Sequence, residues 1–218
     1  MVFGKIEYLN LLPFHVFMKR YTKNSQESMS MSYYRGVPSD INDKFISKKV
    51  DAAFISSIKA KRYKHVNLGI VAKKEVLSVL AIPSKQDKKD IASASSNVLI
   101  NILDIKGEVL IGDKALKYYI KNDDYIDLAL EWHKKYKLPF VFALLCFHKD
   151  TKRYKDIQKR FLIKKVKIPQ YILKESSKKS GISTKDILHY LTFISYDIDK
   201  KADFGVRKFY KLASLQKS

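Results

Sequence analysis

Residues 4–14 read GKIEYLNLLPF, and residues 138–143 read LPFVFA. Between them lie three segments of similar character, DAAFISS (51–57), SASSNVL (93–99) and IGDKAL (111–116). Each segment predicts a strand that ends abruptly in a small polar residue, an asparagine, a glycine or a proline. Strand ends that converge on one crevice need such residues, because backbone groups and hydroxyls must approach a ligand closely there. The set predicts a cleft enzyme or a solute binder rather than a scaffold.

Strands and helices alternate along the chain. Val2–Leu9 is typical of a strand, Pro13 begins a helix at a position where a proline loses no hydrogen bond, and Pro139–Phe147 is typical of a buried strand. This alternation predicts an α/β fold with mostly parallel sheets. No linker rich in glycine, proline or serine divides the chain. If there are two lobes, the chain should cross between them near residues 73–78 and near residues 144–148.

From Thr151 onward the pattern is mainly helical. Ser183-Thr184-Lys185-Asp186 forms a capping box that opens an amphipathic helix to about Ile194. Asp199–Leu215 carries apolar residues at helical spacing and predicts a further helix.

The composition bounds the class of protein and its partners. The chain has 218 residues, of which 46% are hydrophobic, so it can bury a core. Its 43 Lys and Arg residues against 22 Asp and Glu residues give a net charge of +21, which favours anionic partners. A general bias toward lysine explains this charge better than a nucleic-acid partner does, since no nucleic-acid-binding motif is visible.

The sequence also predicts where the protein works. Cys146 is the single cysteine, so no internal disulfide is possible. No secretory signal is visible at the N-terminus. The longest apolar run, Leu138–Phe147, is about half of what a bilayer span needs. We therefore expect a soluble, cytoplasmic protein with no membrane partner.

Common catalytic motifs are absent. None of the five histidines pairs with another histidine or with the cysteine at metal-ligand spacing, so we expect no metal site. There is no GxSxG elbow, Walker A loop or GxGxxG motif. Any chemistry must rely on neutral polar groups, backbone dipoles and the substrate itself, and we expect no cofactor.

Eight segments occur in the order of one known family. They are Tyr8-Leu9-Asn10 with Pro13, Gly36-Val37-Pro38, Asp51 to Ser57 with Ala53, Ile55 and Ser56, Ser78-Val79, Ser93 with Ser95, Ser96 and Leu99, Ile111-Gly112-Asp113 with Ala115 and Leu116, Asp127-Leu128 with Glu131 and Trp132, and Leu138–Ala143. Each segment is weak alone, but the order over roughly residues 4 to 147 is specific. The chain resembles the chorismate dehydratases of the futalosine route to menaquinone, which share a fold with type II periplasmic solute-binding proteins.

The resemblance implies a two-lobed fold with a ligand cleft between the lobes. It assigns residues 1–76 and 148–218 to the first lobe and residues 77–147 to the second. Only eleven residues separate Leu99 from Ile111, so the second lobe should be compact.

The resemblance also implies the reaction, in which chorismate loses water to give 3-[(1-carboxyvinyl)oxy]benzoate, or 3-enolpyruvylbenzoate. The ring becomes aromatic, so the step is strongly downhill and the enzyme mainly has to orient its substrate. Positioning alone can lower a barrier by up to ~7–11 kcal/mol, which makes a site without histidine or metal credible.

One substrate carboxylate is assigned to the serine-rich turn. This turn should lead into a helix that begins at about Asn97, where free amides and the positive helix end attract an anion. Ser93, Ser95 and Ser96 add hydroxyl donors, and Asn97 completes the turn. From the turn alone, simple helix capping by Ser95 or Ser96 is the alternative.

Asn10 and Ser78 are the candidate catalytic residues. The neutral amide of Asn10, at the end of the first strand, can donate to the C4 hydroxyl or to a carboxylate without charge repulsion. Ser78 lies at the expected crossing and is a second contact for the reacting hydroxyl. Because no protein base is evident, the enolpyruvyl carboxylate of the substrate is expected to take the C3 proton. The alternatives are an Asx-type turn for Asn10 and a strand hydrogen bond for Ser78.

Five further residues complete the expected substrate-binding set. Ser56 and Ser57 should line the side of the cleft that the first lobe forms, and Gly112 allows close backbone approach. Asp113 is expected to orient a neighbouring helix or hinge rather than to abstract a proton. Phe140 stacks on the substrate ring or, alternatively, packs in the core.

Two other classes of function remain open. A solute-binding protein of the same fold would bind a small anion without chemistry, and the absence of a visible signal segment argues against it. A basic nucleic-acid-binding protein ranks third and would lose affinity steeply with salt. The sequence leaves the oligomeric state open, and a homo-oligomer is compatible with it.

Overall fold

The computed structural model describes residues 1–22, 31–84, 88–163 and 165–216. The strands are β1 (Val2–Ile6), β2 (Ser32–Gly36), β3 (Ala52–Ser56), β4 (His65–Ala72), β5 (Val79–Ile82), β6 (Glu108–Ile111), β7 (Ile126–Asp127), β8 (Phe140–Phe147) and β9 (Ile194–Asp197). The helices are α1 (Leu12–Tyr21), α2 (Pro38–Ile46), α3 (Ser57–Ala60), α4 (Ala94–Leu103), α5 (Gly112–Lys121), α6 (Leu128–Tyr136), α7 (Thr151–Ile163), α8 (Gln170–Ser180), α9 (Thr184–Tyr190) and α10 (Lys200–Leu215). A short 3₁₀ helix, Leu9–Leu11, follows β1. Among these described helices, none has both the length and the apolar character that a membrane span requires.

The strands form a large sheet with the order β2-β1-β3-β8-β4-β9 and a small sheet with the order β6-β5-β7. Strand β1 runs parallel to β2 and β3. The other pairs of the large sheet and both pairs of the small sheet are antiparallel. The α/β class is confirmed, but the expectation of mostly parallel sheets is wrong. The chain returns from the small sheet into the large one as β8, which runs opposite to both of its neighbours.

Strand β8 is an inner strand of the large sheet. It lies between β3 and β4, and its residues Leu144 to Phe147 are almost fully buried, which explains the continuous apolar sequence FVFALLCF. The return crossing therefore precedes β8 and does not lie at residues 144–148. The expected second lobe included β8, yet β8 pairs within the large sheet. The lobe boundaries as a whole remain a prediction.

The crossing from the large to the small sheet occupies residues 73–78, as expected, and Asp127 holds it. One oxygen of this carboxylate accepts hydrogen bonds from the N–H groups of Val76 at 2.9 Å and Leu77 at 2.7 Å. The other oxygen accepts from two N–H groups in the first turn of α6, at 2.9 and 3.1 Å. Leu77 has a left-handed backbone with a φ of 61°, a conformation that residues other than glycine rarely adopt. Asp127 thus fixes an unfavourable backbone conformation directly before Ser78.

The capping box near the C-terminus forms as expected, but the helix that it opens is shorter. The Ser183 side chain accepts a hydrogen bond from the N–H of Asp186 at 3.1 Å. Helix α9 ends at Tyr190 rather than near Ile194, because the following residues leave the helix and pair with β4 as strand β9.

Helix α1 carries a partly buried histidine, His15. Its Nε2 donates a hydrogen bond to the carbonyl of Ile6 at 2.8 Å, so the neutral ring has a fixed tautomer. Burial lowers the pKa of His15 to about 4. In the unfolded chain the imidazole takes up a proton near pH 6.5, whereas in the folded protein it remains neutral until the pH approaches 4. The stability that the neutral ring contributes is complete above pH 6.5 and is lost as the pH falls toward 4.

We expect His15 to account for roughly 2 kcal/mol of lost unfolding free energy between pH 7 and pH 5. His15→Gln keeps a donor for Ile6 and removes the titration, so it should lose about that much less on acidification. Urea titrations at the two pH values measure this difference. His189→Gln, at an exposed histidine, is the control. The same pH dependence in wild type and His15→Gln would contradict this assignment.

Candidate functional site

A cavity lies between the two sheets, and we call it the cleft. Its volume is about 70 Å³, enough for roughly five water molecules. The lining residues are Ile6, Tyr8, Asn10, Leu11, Pro38, Phe54, Ser56, Ile70, Val76, Ser78, Val79, Ser93, Ser95, Ser96, Ile111, Gly112, Phe142 and Ala143. Seven of the eleven residues proposed from the sequence are among them, and these seven are Asn10, Ser56, Ser78, Ser93, Ser95, Ser96 and Gly112.

The cleft wall is apolar with neutral polar groups. Within this lining, Tyr8 is the single residue with an ionisable side chain. Burial, together with the nearby carboxylates of Asp90 and Asp113, raises the pKa of Tyr8 to about 12, so its hydroxyl stays protonated at neutral pH. The cleft therefore presents serine and tyrosine hydroxyls and one amide.

The serine-rich turn forms the start of α4, but this helix begins earlier than expected. It begins at Ala94 rather than Asn97, because Ser93 is the N-cap and its Oγ accepts a hydrogen bond from the N–H of Ser96 at 3.2 Å. Ser95 and Ser96 lie in the first turn, where amides have no carbonyl partner in their own helix. Helix capping and an anion-attracting helix end thus coexist at this wall of the cleft.

Hydrogen bonds hold the end of β3 and the residue that follows it. Asn42 makes two bonds to Ser56, one from its Nδ2 to the hydroxyl at 2.9 Å and one from the Ser56 N–H to its Oδ1 at 3.1 Å. Ser57 is fully buried, and its Oγ lies 3.0 Å from that of Ser95, which also accepts from the N–H of Ile58 at 3.2 Å. Ser57 was expected to line the cleft but does not, because its hydroxyl is hydrogen-bonded to that of Ser95.

Asn10 lies in the 3₁₀ helix that follows β1 and lines the cleft. Its Oδ1 is buried and has no hydrogen-bond partner among the described residues. Its backbone carbonyl accepts a hydrogen bond from the Tyr196 hydroxyl at 2.6 Å. A buried acceptor without a partner is costly, so this atom is suited to a donor group on a ligand.

Ser78 also lines the cleft and lies directly before β5. Its Oγ accepts a hydrogen bond from the Tyr190 hydroxyl at 2.8 Å, and its carbonyl accepts from the N–H of Gly112 at 2.8 Å. Burial raises the pKa of Tyr190, and the hydrogen bond with Ser78 partly opposes this rise. The hydroxyl of Tyr190 therefore contacts one of the two candidate catalytic residues, Ser78, directly.

Gly112 permits a close approach of the Tyr8 ring to the backbone at the start of α5. Its φ of +63° lies in the left-handed region, and a Cβ added there would lie 2.7 Å from the ring of Tyr8.

Three other residues proposed for substrate binding do not line the cleft. Asp113 accepts a hydrogen bond from the N–H of Leu9 at 3.1 Å, so it joins the start of α5 to the 3₁₀ helix. The side-chain amide of Asn97 bonds to the N–H and the carbonyl of Asp90, at 3.1 and 2.7 Å. Phe140 packs against aromatic rings in the core, which is the alternative that the sequence left open.

Sequence reasoning missed Phe142, which lines the cleft in place of Phe140. The pairing of β4 with β8 steps from Ile70 opposite Ala143 to Val71 opposite Val141, which leaves Phe142 as an extra residue. Such a bulge redirects a side chain, and the alternation of residues along a strand does not reveal it. The signal for Tyr8 was available, since it precedes Asn10 by two residues. No sequence motif marked Tyr190 or Tyr196.

Comparison with sequences of known proteins identifies a family. A family model described as "Menaquinone biosynthesis" matches residues 1–103 and 100–215. A protein named chorismate dehydratase from Campylobacter jejuni subsp. jejuni serotype O:23/36 (strain 81-176) is 44% identical over 215 residues, which cover 97% of this chain and 96% of the relative.

Solved structures agree on the fold. Protein AF1704 from Archaeoglobus fulgidus has a TM-score of 0.78 at 13% identity and covers 99% of this chain and 97% of its own. The Candida albicans CA3427 gene product, described as having the generic periplasmic binding protein fold, has a TM-score of 0.54 at 13% identity, with 99% and 90% covered. The alkanesulfonate-binding protein SsuA from Xanthomonas axonopodis pv. citri has a TM-score of 0.57 at 8% identity, with 100% and 93% covered. The fold is therefore periplasmic-binding-protein-like, and the chain belongs to the menaquinone biosynthesis family.

Proposed function

We propose that this protein is a chorismate dehydratase, a hydro-lyase that converts chorismate to 3-enolpyruvylbenzoate and water. The 44% identity to a protein of that name supports the proposal. The structural observation that carries it is that Asn10 and Ser78 line one neutral cleft beside the start of α4. Because the substrate is a soluble biosynthetic intermediate, we also propose that the protein acts in the cytoplasm.

The start of α4 is the proposed site for one substrate carboxylate. Ser93, Ser95 and Ser96 line the cleft there, and the first amides of the helix point toward its N-terminal end. The helix end contributes a partial positive charge of about half an elementary charge. The net charge of +21 also attracts a doubly anionic substrate over a longer range.

The chemistry breaks the C3–H and C4–O bonds of the substrate ring. The enolpyruvyl carboxylate takes the C3 proton, and the electron pair of that bond forms the new C3–C4 double bond. The C4 hydroxyl departs with the C4–O electron pair and takes up the proton that the enolpyruvyl carboxyl received, which completes a water molecule and restores the carboxylate. Asn10 and Ser78 hydrogen-bond the departing hydroxyl, so the protein mainly orients the reacting groups and stabilises the charge that develops.

The cleft must widen to admit this substrate. Its volume of about 70 Å³ is well below the roughly 150 Å³ of a cavity that binds benzene, and chorismate is larger than benzene. We expect the two sheets to move apart around the crossing at residues 73–78 and to close again on the bound ligand.

Incubation of the purified protein with chorismate tests the proposal directly. Ultraviolet absorbance should report an aromatic product, and mass spectrometry should show the loss of one water molecule. A reaction without protein is the control. Binding of chorismate without any product would instead favour a solute-binding protein, the alternative that the fold neighbours support.

A further inference from the structure

Two tyrosines from the C-terminal part of the chain, Tyr190 (buried) and Tyr196 (partly buried), contact the two candidate catalytic residues. We propose that Tyr190 and Tyr196 are positioning residues for the reaction, Tyr190 by fixing the hydroxyl of Ser78 and Tyr196 by fixing the backbone of Asn10. This inference rests on the proposed function, because it assigns supports to residues that act in that reaction.

Tyr190 determines where the proton of Ser78 can point. The tyrosine hydroxyl donates to Ser78 Oγ at 2.8 Å, and both side chains are almost fully buried. Since burial raises the pKa of Tyr190, its hydroxyl remains a donor at neutral pH. One lone pair of Ser78 Oγ is thus occupied, which leaves its own hydrogen available to an acceptor in the cleft. The leaving hydroxyl of the substrate is such an acceptor.

Tyr196 holds the turn that carries Asn10. Its hydroxyl donates to the Asn10 carbonyl at 2.6 Å, and burial raises its pKa well above the ordinary value, so it too remains a donor. The turn is also closed by a hydrogen bond from the N–H of Leu11 to the carbonyl of Tyr8 at 3.0 Å. With its backbone fixed on both sides, the Asn10 amide is directed into the cleft before a ligand arrives.

A third tyrosine of the same region makes an equivalent contact. The Tyr210 hydroxyl, on α10, donates to the carbonyl of Ser57 at 2.9 Å, and Ser57 in turn holds Ser95. The region from α9 to α10 therefore supplies one tyrosine hydroxyl that hydrogen-bonds to each of three segments near the cleft, those that contain Ser78, Asn10 and Ser57. A region that only covered the core would not require a hydroxyl at each of these places.

Tyr190→Phe tests the first contact because it removes one oxygen and keeps the ring. We expect kcat with chorismate to fall about tenfold while KM changes by less than about threefold, since the lost bond aligns a reacting group rather than binds the substrate. The double variant Tyr190→Phe/Ser78→Ala should be no slower than Ser78→Ala alone, because Tyr190 acts through Ser78. Tyr154→Phe is the matched control, since this buried tyrosine hydroxyl contacts Met1 and does not line the cleft.

Tyr196→Phe provides a second test that does not depend on the stability of the first variant. Its kcat should also fall, by about five- to tenfold, and its effect should vanish in the background of Asn10→Ala. Wild-type kcat in both phenylalanine variants, or effects that add fully to those of Ser78→Ala and Asn10→Ala, would overturn the inference alone. A wild-type protein that forms no product from chorismate would overturn the proposed function, and this inference with it.

Discussion

Asn10→Ala is expected to lower kcat for chorismate by about 10²–10³-fold, the usual loss when one preorganised hydrogen-bonding group leaves a site of charge development. The amide lines the cleft, where we expect its Nδ2 to donate to the departing hydroxyl, while its buried Oδ1, which has no partner among the described residues, accepts from the substrate. Steady-state turnover and chorismate binding should be measured for the same preparation.

Asn101→Ala is the control for this variant, because Asn101 lies on α4 as an exposed asparagine away from the cleft lining. It should keep wild-type kcat. Near-normal turnover in Asn10→Ala would remove Asn10 from the mechanism. Loss of chorismate binding without loss of kcat would reassign it from catalysis to substrate binding.

Asp127→Ala is expected to lower the free energy of unfolding by roughly 3–5 kcal/mol. The carboxylate accepts four backbone N–H groups, two in the crossing at residues 73–78 and two at the start of α6. Without it these largely buried donors lose their partner, and each unsatisfied group costs about 1–3 kcal/mol, partly relieved by relaxation. Urea unfolding monitored by circular dichroism measures the loss.

The same variant should also lose activity at temperatures where it remains folded. Leu77 has a left-handed backbone directly before Ser78, and Asp127 holds its N–H. Relaxation of that residue would displace the serine hydroxyl from its tyrosine partner. Asp123→Ala, at an exposed aspartate of the preceding loop, should change neither property by a measurable amount. Unchanged stability in Asp127→Ala would show that the crossing does not depend on this carboxylate.

The sequence predicted those parts of the site that lie at strand ends and helix starts. Asn10, Ser78 and the serines of α4 were found because each follows or precedes a recognisable apolar segment. Asn97 was misplaced because Ser93 captures the N–H of Ser96 and begins the helix three residues earlier. A local pattern does not determine which of several neighbouring polar residues becomes the cap.

The features that the sequence did not predict depend on contacts between distant parts of the chain. The bulge at Phe142 arises from the register between β4 and β8, and the direction of β8 depends on how the chain returns from the small sheet. Tyr190 and Tyr196 carry no motif, because a single buried hydroxyl can come from any element that reaches the right place. Their partners lie 112 and 186 positions away in the sequence.

These long separations have a consequence for protein synthesis. A ribosome makes Asn10 and Ser78 early but adds their tyrosine partners only near the end of translation. A nascent chain, or one truncated by a premature stop codon before Tyr190, would contain all the segments that resemble the family and yet lack both hydroxyl contacts. A gene fragment that ends before Tyr190 would therefore encode a chain that resembles the family in sequence but lacks the hydroxyl groups that contact Ser78 and Asn10.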